Sequence, residues 1–301
     1  LTFDAAELAE PDLGCIVENL LMQRAALDAF VAAGGTLATG GLQALEFGAG
    51  AVRVVTSGGE FSARLVVGAD GAQSVARRLA GLEAEVQDYG QTAVVAVVRP
   101  ARPHERTAWQ RFLGDGTLAL LPLADGDCSI VWSLARAEAE ALLAVDAAEF
   151  SRRVTAASDQ VLGALELRGE RAGFPLRRLA APRYALERFV LVGDAAHVVH
   201  PLAGQGVNLG FADVESLLAG VARARATQRP PLGDSDLQRW ARERRSDATL
   251  AARAFDGLNR LYAVTDGPLV AARAVGLGLV DRFTPLKRKL AEHAAGIAAG
   301  R

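Results

Sequence analysis

The chain of 301 residues has little sulfur, with two cysteines and one methionine. Cys15 and Cys128 are far apart, and neither lies in a Cys/His spacing that is typical of a metal site. The sequence therefore predicts neither a disulfide framework nor a zinc centre. We expect both thiols to be reduced and buried.

The chain also has no excess of one charge, because its 33 basic residues nearly balance its 35 acidic residues. A balanced surface does not attract polyanions over long range, so we expect no nucleic-acid partner. Long apolar runs are missing as well: residues 268–280 are interrupted by Arg273 and are too few to span a bilayer. No secretion signal is visible at the start. With an apolar fraction of 50%, the chain is expected to be a globular protein in the cytoplasm.

The spacing of apolar residues predicts a mixture of strands and helices in one or two packed domains. Predicted helices cover 15–33, 74–79, 136–144, 147–157, 207–226 and 237–262. Predicted strands cover 36–47, 51–56, 61–67, 92–98, 109–113, 118–123, 128–133, 173–176 and 189–192. Proline and glycine residues indicate a surface linker at 227–234.

The first chemical motif follows the third predicted strand, where residues 68–74 read Gly-Ala-Asp-Gly-Ala-Gln-Ser. Glycines in such a turn let the backbone approach a ligand, and an aspartate there can bind ribose hydroxyls. An alternative stays open, in which Asp70 or Ser74 only caps the following helix.

The second motif follows the apolar run 189–192 and reads Gly193-Asp194-Ala195-Ala196-His197. A glycine-rich loop then leads from His200 into a helix with an apolar face. The unpaired N–H groups and positive dipole end of such a helix suit an anionic or electron-rich oxygen. Asp194, at the end of a strand, could hold a polyol chain.

Together, these motifs resemble the second and third FAD fingerprints of the single-component aromatic hydroxylases. Further segments resemble the polyprenylphenol hydroxylases of ubiquinone biosynthesis, and the resemblance covers essentially the whole chain. Those segments are 14–19 (GCIVEN), 89–93 (YGQTA), 109–113 (WQRFL), 120–123 (LLPL), 129–132 (SIVW) and 255–259 (FDGLN).

The resemblance implies an α/β fold like that of p-hydroxybenzoate hydroxylase, with a mixed β-sheet substrate lobe and a helical C-terminus. It divides the chain into the remainder of an FAD-binding domain (1–87), a substrate-binding sheet lobe (88–182), the flavin and ribityl motif (183–228) and a C-terminal helical region (229–301). The implied cofactor-binding residues are Asp70, Gly71, Gly193, Asp194, Pro201, Gly204, Gly206, Val207 and Asn208. No catalytic side chain and no metal ligand are implied.

The implied reaction is hydroxylation of a polyprenylated phenol in ubiquinone biosynthesis, with FAD as cofactor, NAD(P)H as reductant and O2 as co-substrate. A hydroxylase for another aromatic substrate remains an alternative, as does a non-catalytic remnant that binds lipid or a biosynthetic complex. The basic and apolar residues of 269–298 could touch the surface of the inner membrane. Packing against the flavin domain is the expectation we favour for them.

One departure from the family concerns the ADP half of the cofactor. Such enzymes bind it with a strand, a Gly-x-Gly-x-x-Gly turn and a helix, and the chain has no segment of that kind. We therefore expect the N-terminal Rossmann βαβ unit to be missing, by truncation or in a natural remnant, and FAD binding by these residues alone to be weak.

Several polar side chains invite a functional interpretation that we do not favour. His197 and His200 flank the flavin loop, and we expect hydrogen-bonded structural roles for both. Trp109 and Arg111 could line a phenol pocket, although a position on the face of a sheet is the preferred interpretation. Four arginines at 239, 242, 244 and 245 predict a solvated helical face because acidic residues alternate with them.

Overall fold

The computed structural model of the protein describes residues 1–114, 116–201, 204–227, 233–264, 276, 278 and 280–294. The helices are α1 (Asn19–Ala32), α2 (Val75–Leu79), α3 (Arg136–Ala144), α4 (Ala147–Ala157), α5 (Gly206–Ala226), α6 (Asp234–Ala263) and α7 (Thr284–Ala294). The strands are β1 (Leu42–Phe47), β2 (Val52–Thr56), β3 (Gly59–Ala63), β4 (Val66–Gly68), β5 (Glu85–Pro100), β6 (Trp109–Leu113), β7 (Gly116–Pro122), β8 (Cys128–Ala135), β9 (Leu165–Ala180), β10 (Ala185–Leu186), β11 (Phe189–Leu191) and β12 (His197–Val198).

These strands form three sheets. The first is the antiparallel meander β1-β2-β3, and the second has the order β10-β11-β4. The third has six strands in the order β12-β9-β5-β8-β7-β6. Several sheets alternating with helices confirm the α/β class that was predicted.

The six-stranded sheet differs from the predicted lobe in two ways. All of its described pairings are antiparallel, so the prediction of a mixed sheet is wrong. Strands β6, β7 and β8 are antiparallel neighbours joined by short turns, and β5 pairs antiparallel with both β8 and β9. The sheet also includes β12, which belongs to the predicted flavin segment and pairs with β9.

The region around the first motif contains one strand more than expected. The predicted strand 61–67 is two strands, because β3 completes the meander while β4 pairs in parallel with β11. An apolar run of seven residues cannot reveal by its composition that the chain turns and changes sheets.

Two apolar clusters stabilise the two parts of the structure. Beneath the six-stranded sheet, Phe150 of α4 and Val94 of β5 are among the fully buried side chains. Around β11, Phe189, Tyr184 and Trp240 pack into the second cluster. Each fully buried side chain of this size contributes about 1.5–3 kcal/mol relative to exposure, so both clusters hold their sheets firmly against the adjoining helices.

Some of the other sequence predictions are confirmed and others are wrong. The bounds of α3 and α4 match those predicted, whereas β9 is much longer than the predicted strand 173–176. Cys128 is buried as expected, but Cys15 is exposed, so the prediction of two buried thiols is wrong for Cys15. Most of the predicted linker 227–234 and much of 269–298 lie outside the described residues.

Candidate functional site

The two sequence motifs meet because the strands that precede them are parallel neighbours. Val67 of β4 pairs with Val190 of β11, and Gly68 pairs with Leu191. The two strands pack closely at Gly68, since a Cβ atom there would lie 3.0 Å from side-chain atoms of both Leu191 and Phe189. The carboxyl ends of the two strands therefore point to the same edge, which is where ligands bind in open α/β sheets.

The turn after β4 is held by the carboxylate of Asp70. This carboxylate accepts hydrogen bonds from the hydroxyl of Ser74 and from the backbone N–H of Ala76 at 2.9 Å. Burial would raise the pKa of Asp70, but these hydrogen bonds lower it below its ordinary value. Ser74 in turn caps α2 by accepting from the N–H of Arg77. The capping role left open by the sequence is thus present, and Gly71 completes the turn with a φ of 78°.

Arg77 connects the two motif turns. Its guanidinium donates to the carbonyl oxygen of Ala195 at 2.7 Å and to that of Ala72 at 2.9 Å. The side chain is buried, which lowers the pKa of Arg77 from its usual value. One buried cation therefore fixes the distance between the turn of Asp70 and the turn of Asp194.

Asp194 lies just after the end of β11 and is exposed. The preceding Gly193 has a φ of 58° and packs against Gly210 of α5, whose added Cβ would lie 3.2 Å from the Gly193 Cα. Its N–H donates to the carboxylate of Asp213 at 3.0 Å. The turn that presents Asp194 is thus anchored to α5 by packing and by a hydrogen bond.

Asp213 is the centre of a buried polar cluster behind this turn. Its fully buried carboxylate accepts from His197 Nε2 at 2.7 Å and from Arg244 Nε at 2.8 Å, in addition to Gly193. Burial opposes ionisation, yet these donors hold the pKa of Asp213 below its ordinary value. Arg244 is therefore part of the interior, and the prediction that it lies on a solvated face is wrong. Hydrophobic periodicity could not reveal a buried arginine whose partner is distant in sequence.

The start of α5 has the features of a cradle for a planar anion. An added Cβ at Gly204 or Gly206 would meet no atom within 4 Å, so these glycines border open space. The N-cap Gln205 makes no side-chain capping bond, and Val207 and Asn208 are exposed in the first turn. Helix N–H groups, an open approach and the carboxylate of Asp194 fit a flavin with its ribityl chain. Pro201 is half-buried just before the cradle.

His200 and Tyr89 connect this cradle to the six-stranded sheet. His200 Nε2 lies 3.1 Å from Gln91 Oε1, and the Tyr89 ring packs edge-on against the imidazole at 4.9 Å. The Tyr89 hydroxyl donates to Asp256 of α6 at 2.6 Å. Burial lowers the pKa of His200, whereas burial and the bond to Asp256 raise that of Tyr89. His197 and His200 are thus both buried and hydrogen-bonded, as was predicted from the sequence.

The remaining candidates lie apart from the cradle. Arg111 donates to the carbonyl of Ala157 and faces Asp159, and Trp109 is partly exposed on β6, which agrees with positions on the face of the sheet. Within the described ranges, no cluster of three or more His, Cys, Asp or Glu residues could hold a metal ion. No described helix is both long enough and apolar enough to cross a bilayer.

Sequence reasoning did not assign a role to Arg77, Asp213 or Gln91. The signal for Arg77 was present, since an arginine that follows a ligand-binding turn can bind its backbone carbonyls. Asp213 gives a weaker signal: it is a carboxylate among the apolar residues of a helix. Gln91 stands in the resembling segment 89–93, but nothing local indicates that it faces His200.

Comparison with known proteins agrees with this geometry. Residues 16–253 match the family model described as FAD binding domain. Ubiquinone hydroxylase UbiL of Rhodospirillum rubrum is 36% identical over 96% of this chain and 68% of its own length. The 3-demethoxyubiquinol 3-hydroxylase of Escherichia coli is 34% identical over 99% of this chain and 76% of its own length.

Among solved structures, the anhydrotetracycline hydroxylase OxyS of Streptomyces rimosus superposes with a TM-score of 0.66 at 25% identity, over 93% of this chain and 57% of OxyS. The chain thus spans little more than half of that enzyme. The family match, the two relatives and the arrangement of the motif turns all indicate the same family. The chain belongs to the FAD-binding flavoprotein monooxygenases, in the family of the ubiquinone-biosynthesis hydroxylases.

Proposed function

We propose that this chain supplies the flavin- and substrate-binding parts of an enzyme that hydroxylates a polyprenylated phenol, with NAD(P)H as reductant and O2 as co-substrate. The observation that carries the proposal is the open space at Gly204 and Gly206, where α5 starts, on the same helix that packs through Gly210 against the Gly193 turn before Asp194. The names of the bacterial relatives support a ubiquinone precursor as the substrate.

In this proposal Asp194 binds the hydroxyls of the ribityl chain. The first-turn N–H groups of α5, among them those of Val207 and Asn208, bind the edge of the isoalloxazine where negative charge collects on reduction. When bound, FAD would accept electrons from NAD(P)H and activate O2 for transfer to the ring. The side chains of the chain itself orient the phenol and exclude water.

We also propose that a strand-turn-helix unit outside these 301 residues binds the ADP half of FAD. Strand β4 is at the edge of its sheet, and Val67 there is 44% exposed. Helix α1 buries none of its 14 residues and exposes Leu20 by 76%. On α5, Leu218 is 61% exposed. Exposed apolar side chains, together with a β4 edge that has no strand partner within the described part of the chain, favour a packed unit whose new strand would pair with β4.

A peripheral contact with a membrane surface or a biosynthetic complex is a further part of the proposal. Phe283, Leu286 and Leu290 are exposed at α7, next to the basic residues Arg288 and Lys289. Such an amphipathic face can lie at the boundary between headgroups and acyl chains. Sedimentation with anionic vesicles should carry down the wild-type chain and should fail for a Leu286→Glu, Leu290→Glu variant.

The proposed function is tested by purifying this chain and a form extended upstream, and by recording the visible flavin absorbance of each. We expect the extended form to retain FAD and the chain alone to bind it weakly. The extended form should oxidise NAD(P)H faster when a phenol is present and should place an oxygen atom from O2 in the product. A colourless extended form contradicts the monooxygenase proposal. Tight binding of FAD by the short form contradicts the need for an additional unit.

A further inference from the structure

A partly open cavity of about 270 Å³ lies between the six-stranded sheet and the end of α6. Its lining includes Gln91, Leu113, Thr117, Glu138, Asn259 and Tyr262. Protein cavities of about 150 Å³ already accept a benzene molecule. This cavity can therefore hold a substituted aromatic ring, but it cannot also contain a long prenyl tail.

Gln91 reaches the cavity from an irregularity in β5. The pairing of β5 with β9 shifts register between Asp88 and Thr92, and Gly90 within this bulge has a φ of 68°. Bulges re-aim the side chains beside them and are frequent next to active sites. Here the bulge presents Tyr89 to His200 and Asp256, and it presents Gln91 to both His200 and the cavity.

The hydrogen bond with His200 determines which atoms of the Gln91 amide can bind a ligand. The amide oxygen can only accept, so His200 Nε2 donates to it, and the bond leaves both N–H groups of the amide available. His200 is 1% exposed and packs against the Tyr89 ring. The buried imidazole therefore holds the Gln91 amide in one orientation. A neutral donor held in one orientation at the wall of a cavity with both polar and apolar lining is suited to orienting a ligand.

We propose that Gln91 binds the ring oxygen of the aromatic substrate, with His200 as the residue that positions its amide. This inference rests on the proposed function, and it identifies the group that selects an oxygenated ring. Because His200 directly precedes Pro201 at the flavin cradle, a ring held by Gln91 is placed with respect to the cofactor site. The same contact would select which ring carbon faces the flavin.

Two other polar groups of the cavity, those of Glu138 and Thr117, are less suited to this role. Glu138 is exposed at the start of α3, so its carboxylate is solvated. A carboxylate would also repel a phenolate or the electron-rich oxygen of a phenol ether. Thr117 is buried within β7, and it is not connected to the cradle as Gln91 is through His200.

The test compares phenol with toluene, which have nearly the same shape but differ in the oxygen. Binding of each probe to the purified chain is measured by ligand-observed NMR titration, which requires no flavin. In the Gln91→Leu variant we expect phenol to bind about tenfold more weakly, because a lost hydrogen bond of about 1–1.5 kcal/mol has that effect. The affinity for toluene should be unchanged or higher.

The matched control is Gln87→Leu, four residues earlier on β5, which lines a neighbouring space of about 210 Å³. This variant should keep the wild-type ratio of phenol to toluene affinity. A Gln91→Leu variant that keeps the wild-type ratio overturns the assignment of Gln91 and leaves the proposed function intact. The assignment is also overturned if Gln87→Leu changes the ratio equally. If the wild-type chain binds neither probe, the aromatic-substrate proposal fails together with this inference.

Discussion

The guanidinium of Arg77 donates a hydrogen bond of 2.7 Å to the carbonyl oxygen of Ala195, which lies 118 residues further along the chain. Its second contact, with the carbonyl of Ala72, makes it a clamp between the two motif turns. The relative position of the two motif turns therefore depends on a buried side chain outside both turns.

Replacing Arg77 with methionine should destabilise the protein, because the carbonyl oxygens of Ala72 and of the buried Ala195 lose their donor. We expect the free energy of unfolding to fall by about 2–3 kcal/mol, as measured by urea denaturation. The control is Arg78→Met, since Arg78 is exposed on the same helix, and it should change stability by less than about 0.5 kcal/mol. Equal effects of the two substitutions would contradict the clamp.

Asp213→Asn should be among the most damaging single substitutions in the chain. It leaves the buried Arg244 without its interior counter-charge and weakens the bond to the N–H of Gly193. Breaking a buried ion pair costs about 3–5 kcal/mol. Asp247→Asn removes the exposed partner of the same arginine and should cost less than about 1 kcal/mol. Thermal or urea unfolding of the two variants measures how much stability each substitution costs.

The Gly206→Ala substitution should change the stability of the chain and its affinity for flavin in opposite directions. Alanine is favoured over glycine in a helix by about 0.5–1 kcal/mol, and its methyl group would meet no protein atom at this position. We therefore expect a slightly more stable chain that binds flavin more weakly, because the methyl group projects into the cradle. Gly257→Ala on α6, also in open space, should gain the same stability without affecting flavin binding. Flavin fluorescence titration of the extended form measures the difference.

His200 should make the free energy of unfolding depend on pH. Burial lowers its pKa in the folded protein, and the nearby Asp256 only partly opposes this shift. Below about pH 6.5 the unfolded chain binds a proton at this position that the folded chain excludes. Stability contributed by this residue is thus complete above about pH 6.5 and is lost as the pH falls towards the folded pKa.

Denaturant unfolding between about pH 7.5 and 5 should therefore show a smaller loss of stability for His200→Gln than for the wild type. Above about pH 7 the difference between the two proteins should stay constant. Parallel curves over the whole acidic range would show that His200 is not responsible.

The sequence by itself determined many of the local elements and the positions of the two motif turns. Helices α3 and α4 follow from apolar residues at helical spacing, and Gly193-Asp194 and Gly204 to Asn208 are recognisable because glycine and aspartate have conformational and chemical roles within a few residues. The sequence left open whether Asp70 or Ser74 caps the following helix, and in the structure Ser74 is the capping residue.

Only the tertiary structure decided how these segments meet. The parallel pairing of β4 with β11, the antiparallel order of the six-stranded sheet and the partners of Arg77, Asp213 and Gln91 join residues that are distant along the chain. No local pattern encodes such contacts, because the free energy that selects them comes from burying both partners at once. A buried arginine and an exposed arginine therefore look alike in the sequence, and only packing against Asp213 distinguishes Arg244 from its neighbours.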